Sequence, residues 1–86
     1  MSGRAKSLEL RDGAGGFRYY LAGKPVDGAS VMQLCFSGGW ITGRFEWSGN
    51  PTGRPRFHCS IELDGGGVEE HSLEIPERAL LRWAET

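Results

Sequence analysis

A chain of 86 residues with a net charge of −1 is one small domain, and its charge balance provides no overall attraction to nucleic acid or anionic membranes. Hydrophobic residues at 38% and charged residues at 24% are typical of a globular protein and exclude a disordered one. The 14 glycines have no fixed period, which favours short strands joined by tight turns, and so small a core does not easily frame a deep catalytic cleft.

Targeting signals and anchors are not expected. No apolar run approaches the ~20 residues of a membrane span. The first ten residues, MSGRAKSLEL, lack the apolar segment of a secretory signal. The two cysteines have no CxxC spacing and fit a reducing compartment. We therefore predict a cytoplasmic protein with a flexible tail over residues 1–6 and a single β-barrel domain over residues 7–86.

Short alternating segments predict strands in the first half of the chain. Residues 7–10 and 17–21 flank the turn sequence RDGAGG, and the Gly/Pro-rich sequence AGKPVDGAS predicts a long loop before a strand over residues 30–36. Alternation predicts which of these side chains point inward: Phe17, Tyr19, Leu21, Met32, Leu34 and Phe36.

The second half predicts a meander. Strands are expected over residues 40–47, 56–63 and 68–75, separated by the loop SGNPTGRP and the turn DGGG. Pro76 suits a short 3₁₀ turn before a last strand. The residues predicted to point inward are Ile41, Gly43, Phe45, Trp47, Phe57, Cys59, Ile61, Leu63, His71, Leu73, Ile75, Ala79, Leu81 and Trp83.

One pairing register separates the apolar from the polar side chains in the hairpin formed by residues 40–47 and 56–63. Phe45 opposite Cys59 places apolar pairs on one face and polar pairs on the other, which leaves Trp40 and Arg44 outward. The same reasoning places Cys59 opposite Leu73 in the next hairpin. That register sets two acidic residues, Glu62 and Glu70, opposite each other, which is mildly unfavourable.

Five to six short, mostly antiparallel strands with regular turn signals predict an all-β fold that forms a small, strongly bent and partly closed barrel. The order of strand, long loop, meander, short turn and closing strand resembles the SH3-like small barrels, and the resemblance covers residues 17–83. The pattern of YYLAGKPV, DG and GGWITGRFEW resembles a group of small bacterial domains. These resemblances imply a fold and carry no activity, because such barrels host many functions. The ALYDY sequence of peptide-binding SH3 domains is absent.

Metal, cofactor and catalytic sites are not predicted. His58 and Cys59 are adjacent in one predicted strand and point to opposite faces, so they cannot share an ion. Ser60 shares a face with His58, but a triad also needs a carboxylate to orient the histidine, and Glu46 is the only candidate. GAGG and DGGG lack the Lys-Ser/Thr that follows a phosphate loop.

Aromatic and arginine side chains predict a binding surface instead. Trp, Tyr and Arg are the residues enriched at interface hot spots. The alternative interpretation is that Trp40 folds over the rim of the core beneath the RDGAGG or AGKP loop. We predict a non-enzymatic binding module or accessory subunit of a larger bacterial assembly that contacts a protein partner through this face or through an open strand edge. The residues predicted to make contact are Tyr20, Trp40, Arg44, Arg54, Arg56 and His58.

Single-stranded nucleic acid is the alternative partner. Arg44, Arg54 and Arg56, with Arg18 and Lys24 near them, would contact phosphates while bases stack on Trp40 and Tyr20. Against this interpretation, carboxylates share the face and the isoelectric point is about 6.1, below the range above ~9 that is typical of nucleic-acid-binding domains. Residues 1–56 carry eight Lys/Arg and four Asp/Glu, and residues 57–86 carry two and seven.

Overall fold

Eight β-strands in two antiparallel sheets build residues 5–84, which are the residues that the computed structural model describes. The strands are β1 Glu9–Gly13, β2 Gly16–Leu21, β3 Lys24–Pro25, β4 Val31–Phe36, β5 Gly39–Glu46, β6 Arg56–Glu62, β7 Val68–Glu74 and β8 Leu81–Trp83. The all-β prediction is confirmed. Across residues 5–84 there is no helix with the length and apolar character that crossing a membrane requires.

The two sheets are joined without closing into a ring. One has the order β1-β2-β3 and the other β7-β6-β5-β4-β8. Lys6 and Leu81 exchange two backbone hydrogen bonds of 2.8 Å, which ties β8 to the segment leading into β1. No strand pairing within residues 5–84 connects β3 to β7, so one side of the structure remains open. Residues 1–4 of the predicted tail lie outside the described residues.

The structure has eight strands within residues 5–84, against the five to six that the sequence predicted, and two of the predicted loops contain strand residues. Only Ala14 and Gly15 separate β1 from β2, so RDG of the predicted turn RDGAGG belongs to β1. The predicted long loop contains β3, which pairs with the end of β2. The segment before β8 is a hydrogen-bonded turn in which the N–H of Ala79 donates to the carbonyl of Pro76 at 3.1 Å.

The core lies between the inner faces of the two sheets. Tyr19 packs edge-on against Phe45 and Trp47, with ring centroids 5.9 and 4.7 Å apart. The indole N–H of Trp83 donates to the carbonyl of Leu21 at 2.9 Å and so links β8 to β2. The buried residues are Tyr19, Leu21, Val26, Met32, Leu34, Phe45, Phe57, Cys59, Ile75 and Leu81.

The predicted inward and outward rows of β5 are confirmed, but both predicted registers are wrong by two residues. Phe45 faces Phe57, and Cys59 faces His71. A shift of two residues leaves every side chain on the same face, so alternation cannot detect it. The loops decide the register. The indole N–H of Trp47 donates to the carbonyl of Gly53 at 2.9 Å, which shapes the loop between β5 and β6.

The observed register also removes the predicted contact between two acidic residues. Glu62 faces Val68, and Glu70 faces Ser60. The turn between β6 and β7 closes where the N–H of Leu63 donates to the carbonyl of Gly67 at 3.1 Å. The like-charge pair is therefore avoided by the geometry of the turn.

Several residues predicted to point into the core are exposed instead, and three of them lie in the hairpin of β6 and β7. Pairing of β5 with β6 ends at Gly43 and Cys59, and the hairpin of β6 and β7 projects beyond it. The exposed members of the predicted inward rows are Phe17, Phe36, Ile61, Leu63 and His71.

Candidate functional site

The outer face of the five-stranded sheet points away from the core and carries most of the predicted contact residues. Cross-strand pairs share a face of the sheet, so the register states which side chains lie together. Trp40 faces Cys35, and Gln33 faces both Thr42 and Arg82. We call this surface the Trp40 face; it consists of Val31, Gln33, Cys35, Trp40, Thr42, Arg44 and Arg82.

A chain of polar contacts holds an arginine above the Trp40 ring. The Nε of Arg82 donates to Oε1 of Gln33 at 2.7 Å, and Nε2 of Gln33 donates to Oγ1 of Thr42 at 3.1 Å. The guanidinium carbon of Arg82 lies 4.0 Å from the centroid of the Trp40 ring. Cation–π contacts of this kind contribute about 0.5–1 kcal/mol at exposed sites. The three strands β8, β4 and β5 therefore fix an aromatic ring and a cation as one preformed unit.

Apolar surface accompanies this unit. Trp40 is half-buried, and Val31 is 48% exposed. Leu80, whose carbonyl accepts from the N–H of Cys35 at 2.9 Å, is 46% exposed next to β8. The Trp40 face contains two arginines and no carboxylate. It is therefore an apolar surface with cationic character.

The second half of the outer face has the opposite charge. Glu70 and Glu74 of β7 and Glu62 of β6 lie on it, together with Arg56 of β6. Arg56 faces Glu74 and donates from Nε to Oγ of Ser72 at 2.8 Å. The outer face is thus divided between a cationic half near β8 and an acidic half near β7.

His58 and Glu46 form a hydrogen-bonded pair on this face, with Nε2 of His58 2.6 Å from Oε1 of Glu46. Glu46 is the carboxylate that the sequence indicated as the candidate to orient His58. Both side chains are open to solvent, at 37% and 65% exposure. His58 faces Arg44 across the two strands. The arrangement is an exposed polar contact, and exposed pairs of this kind contribute at most about 1 kcal/mol.

Arg54 is occupied inside the domain. Its Nη2 and Nε donate to the carbonyl of Ile75 at 2.8 and 3.2 Å, and its Nη1 donates to the hydroxyl of Tyr19 at 3.2 Å. The side chain is half-buried and joins the loop before β6 to the end of β7 and to β2. Its hydrogen-bonding capacity is therefore largely used for tertiary structure.

Tyr20 lies in the other sheet and does not join Trp40. It pairs with Glu9 on the outward side of the three-stranded sheet, where the guanidinium of Arg11 lies 4.4 Å from its ring centroid. Arg18 and Lys24 also belong to that sheet. The residues that the sequence predicted to form one surface patch are therefore divided between two sheets.

Arg82 is the residue of the Trp40 face that the sequence analysis did not single out. Alternation in LLRW places it outward between Leu81 and Trp83, but the position of β8 beside β4 is a long-range pairing that no local pattern predicts. Among residues 5–84, no group of three or more histidine, cysteine, aspartate or glutamate side chains converges as a metal site would require. Both cysteines are free thiols.

Comparison with known proteins identifies no relative: no family model matches the chain, and no curated protein or solved structure is significantly similar to it.

Proposed function

We propose that this protein is a non-enzymatic protein-binding module that docks its Trp40 face onto a partner. The observation that carries the proposal is the preformed stack of Arg82 on Trp40, on a sheet face that is not covered within residues 5–84. Tryptophan and arginine are the residues that most often dominate binding energy. Because Gln33 already holds Arg82 in place, little side-chain entropy remains to be lost on binding.

The charge of the Trp40 face selects the partner's chemistry. Arg44 makes no salt bridge within the described residues, and Arg82 interacts with an aromatic ring and an amide. Val31 and Leu80 contribute exposed apolar area beside them. A complementary surface therefore has an apolar centre with acidic residues at its rim.

Nucleic acid is the less favoured partner for the same face. Of the three arginines assigned to phosphates, Arg54 is engaged within the domain. The two stacking rings, Trp40 and Tyr20, lie in different sheets, and each already has a guanidinium against one side. The acidic half of the outer face would also repel a phosphate backbone passing beyond the Trp40 face.

We further propose that the architecture is an open variant of the SH3-like barrel and that the protein is an accessory subunit in the bacterial cytoplasm. The order of hairpin, meander, turn and short closing strand supports the first proposal. Two free thiols, Cys35 and Cys59, are compatible with a reducing compartment.

Site-specific crosslinking followed by an affinity measurement tests the proposed function. A photoreactive residue at Val31, which is exposed within the Trp40 face, is expected to capture one defined protein, whereas the same residue at Thr52 in the loop after β5 is expected not to. With that protein purified, Trp40→Ala should weaken binding by about thirtyfold, since hot-spot truncations lose roughly 2 kcal/mol or more. Val68→Ala, on an exposed strand outside the Trp40 face, is the matched control.

Two results would contradict the proposal. One is a purified partner whose affinity changes less than about fivefold, or ~1 kcal/mol, in Trp40→Ala. The other is binding of labelled single-stranded nucleic acid whose logarithmic affinity falls linearly with the logarithm of salt concentration, because that dependence reports phosphate contacts.

A further inference from the structure

The free edge of the five-stranded sheet is β7, and its outward backbone groups can be identified. The N–H of Ile75 donates to the carbonyl of Pro55 at 2.9 Å, and the N–H of Leu63 donates to the carbonyl of Gly67 at 3.1 Å. These bonds lie at the two ends of an uninterrupted ladder between β6 and β7. Bonded and non-bonded positions alternate along an antiparallel ladder. The residues of β7 that direct N–H and C=O away from the sheet are therefore Val68, Glu70, Ser72 and Glu74.

This edge is the longest one left open in the five-stranded sheet. At the other side of the sheet, β8 has three residues, and both backbone groups of Leu81 bond to Lys6. β7 has seven residues, and its outward N–H groups have no acceptor within residues 5–84. The carbonyl of Ser72 accepts from Nη2 of Arg56 at 3.1 Å and retains its second lone pair. An added strand would provide hydrogen-bond partners for all of these outward backbone groups.

Apolar and acidic side chains lie along the edge, and Arg56 of β6 contacts it at Ser72. Val68 is 63% exposed, and Ile61 is 46% exposed on the projecting part of the hairpin. Glu70 and Glu74 lie on the outer face of β7, and Glu69 lies on the inner face. A second copy of the chain would bring these carboxylates against their equivalents, which is unfavourable. A basic strand would meet opposite charges.

We propose that β7 accepts an extended basic segment of a partner protein as an additional strand of the sheet. Glu70 and Glu74 lie on one face with Ser72 between them. Side chains in a strand alternate, so the segment would present Lys or Arg at positions i and i+4 with a small residue at i+2. This inference concerns a surface other than the Trp40 face and does not depend on the function proposed for that face.

Amide exchange with a synthetic peptide tests the inference directly. The peptide alternates Val and Thr, carries Lys at i and i+4, and is compared with the same peptide carrying Glu at those two positions. We expect the Lys peptide to slow exchange at the four outward amides of β7. The odd-numbered amides of β7 already bond to β6 and should change little. The Glu peptide should have no effect.

Charge variants and a proline variant supply the affinity test. Glu70→Lys combined with Glu74→Lys should raise the Kd of the Lys peptide about tenfold, because each exposed ion pair is turned into a repulsion. Glu77→Lys makes the same type of charge change off the strand and should alter Kd less than about twofold. Ser72→Pro removes a central outward N–H and should abolish protection of the edge amides, and circular dichroism checks that the sheet is retained.

Each contrary outcome overturns the inference. Equal binding of the Lys and Glu peptides, an unchanged Kd in the double charge variant, or protection away from β7 would exclude an acidic strand acceptor. A dimer of the protein alone that Ser72→Pro dissociates would show that a second copy occupies the edge. Trp40→Ala should leave the peptide Kd unchanged; loss of peptide binding in that variant would mean that the peptide occupies the Trp40 face.

Discussion

Gly43 provides a stringent test of how β5 and β6 pack beneath the Trp40 face. A methyl group built on Gly43 would lie 2.6 Å from Cε2 and 2.7 Å from Cζ of Phe57, and closer still to the carbonyl oxygen of His58. Phe57 is completely buried, and the backbone of His58 is part of the ladder with β5. Neither neighbour can move away without disturbing the core or the sheet.

We therefore expect Gly43→Ala to lower the free energy of unfolding by about 2 kcal/mol. Overpacking typically destabilises by ~1–3 kcal/mol, and contacts this short to two fixed neighbours place Gly43→Ala at the upper end of that range. The reduced entropy of the unfolded chain offsets ~0.4–1 kcal/mol of that loss. For a domain of this size the midpoint of thermal unfolding should fall by roughly 10 °C. Urea and thermal denaturation followed by circular dichroism measure both quantities.

The matched control is Gly15→Ala in the turn between β1 and β2. An added methyl group there meets nothing within 4 Å, and the residue does not have left-handed backbone angles. The control should change stability by less than about 0.5 kcal/mol, as is usual for an exposed substitution. If Gly43→Ala were as stable as the control, the close crossing of Phe57 over Gly43 would be refuted, and with it the observed register of β5 on β6.

Two further predictions concern side chains that the structure places inside and outside the domain. Arg54→Met should lower the free energy of unfolding by about 2 kcal/mol, because the carbonyl of Ile75 loses its charged donors. The control Arg44→Met, at an exposed position, should change it by less than about 0.5 kcal/mol. Equal effects of the two substitutions in urea denaturation would refute the structural role of Arg54. In the native protein a thiol-specific reagent should modify the half-buried Cys35 first, and Cys59, which is 6% exposed, should react only as the sheet opens. Single Cys→Ser variants allow the two rates to be measured separately. Modification of both thiols at the same rate would contradict the burial of Cys59.

The sequence alone determined the type of fold and the orientation of most strand residues. Alternation of apolar and polar side chains is a local property of an extended chain, since successive residues point to opposite faces. It correctly placed Phe45 in the core and Trp40 on the outer face. Glycine and proline also marked most turns, because their backbone preferences act locally.

The pairing register of the strands, and the burial of each inward side chain, depended on the tertiary structure. A slip of two residues preserves alternation, so Phe57 rather than Cys59 could face Phe45 without any sign in the pattern. Whether an inward residue is buried depends on what lies above it. Ile61 has the same orientation as Cys59 but is 46% exposed, because it lies in the part of the hairpin that projects beyond β5.

The candidate site shows the same division. The sequence predicted Trp40 and Arg44 as outward residues of one strand, which is local information. Arg82 reaches Trp40 only because β8 returns to pair with β4, and Arg54 is used internally only because Ile75, the residue after β7, lies beside it. These contacts join residues that are far apart in the chain, so they arise from packing of the sheets and not from the short-range preferences that a sequence pattern records.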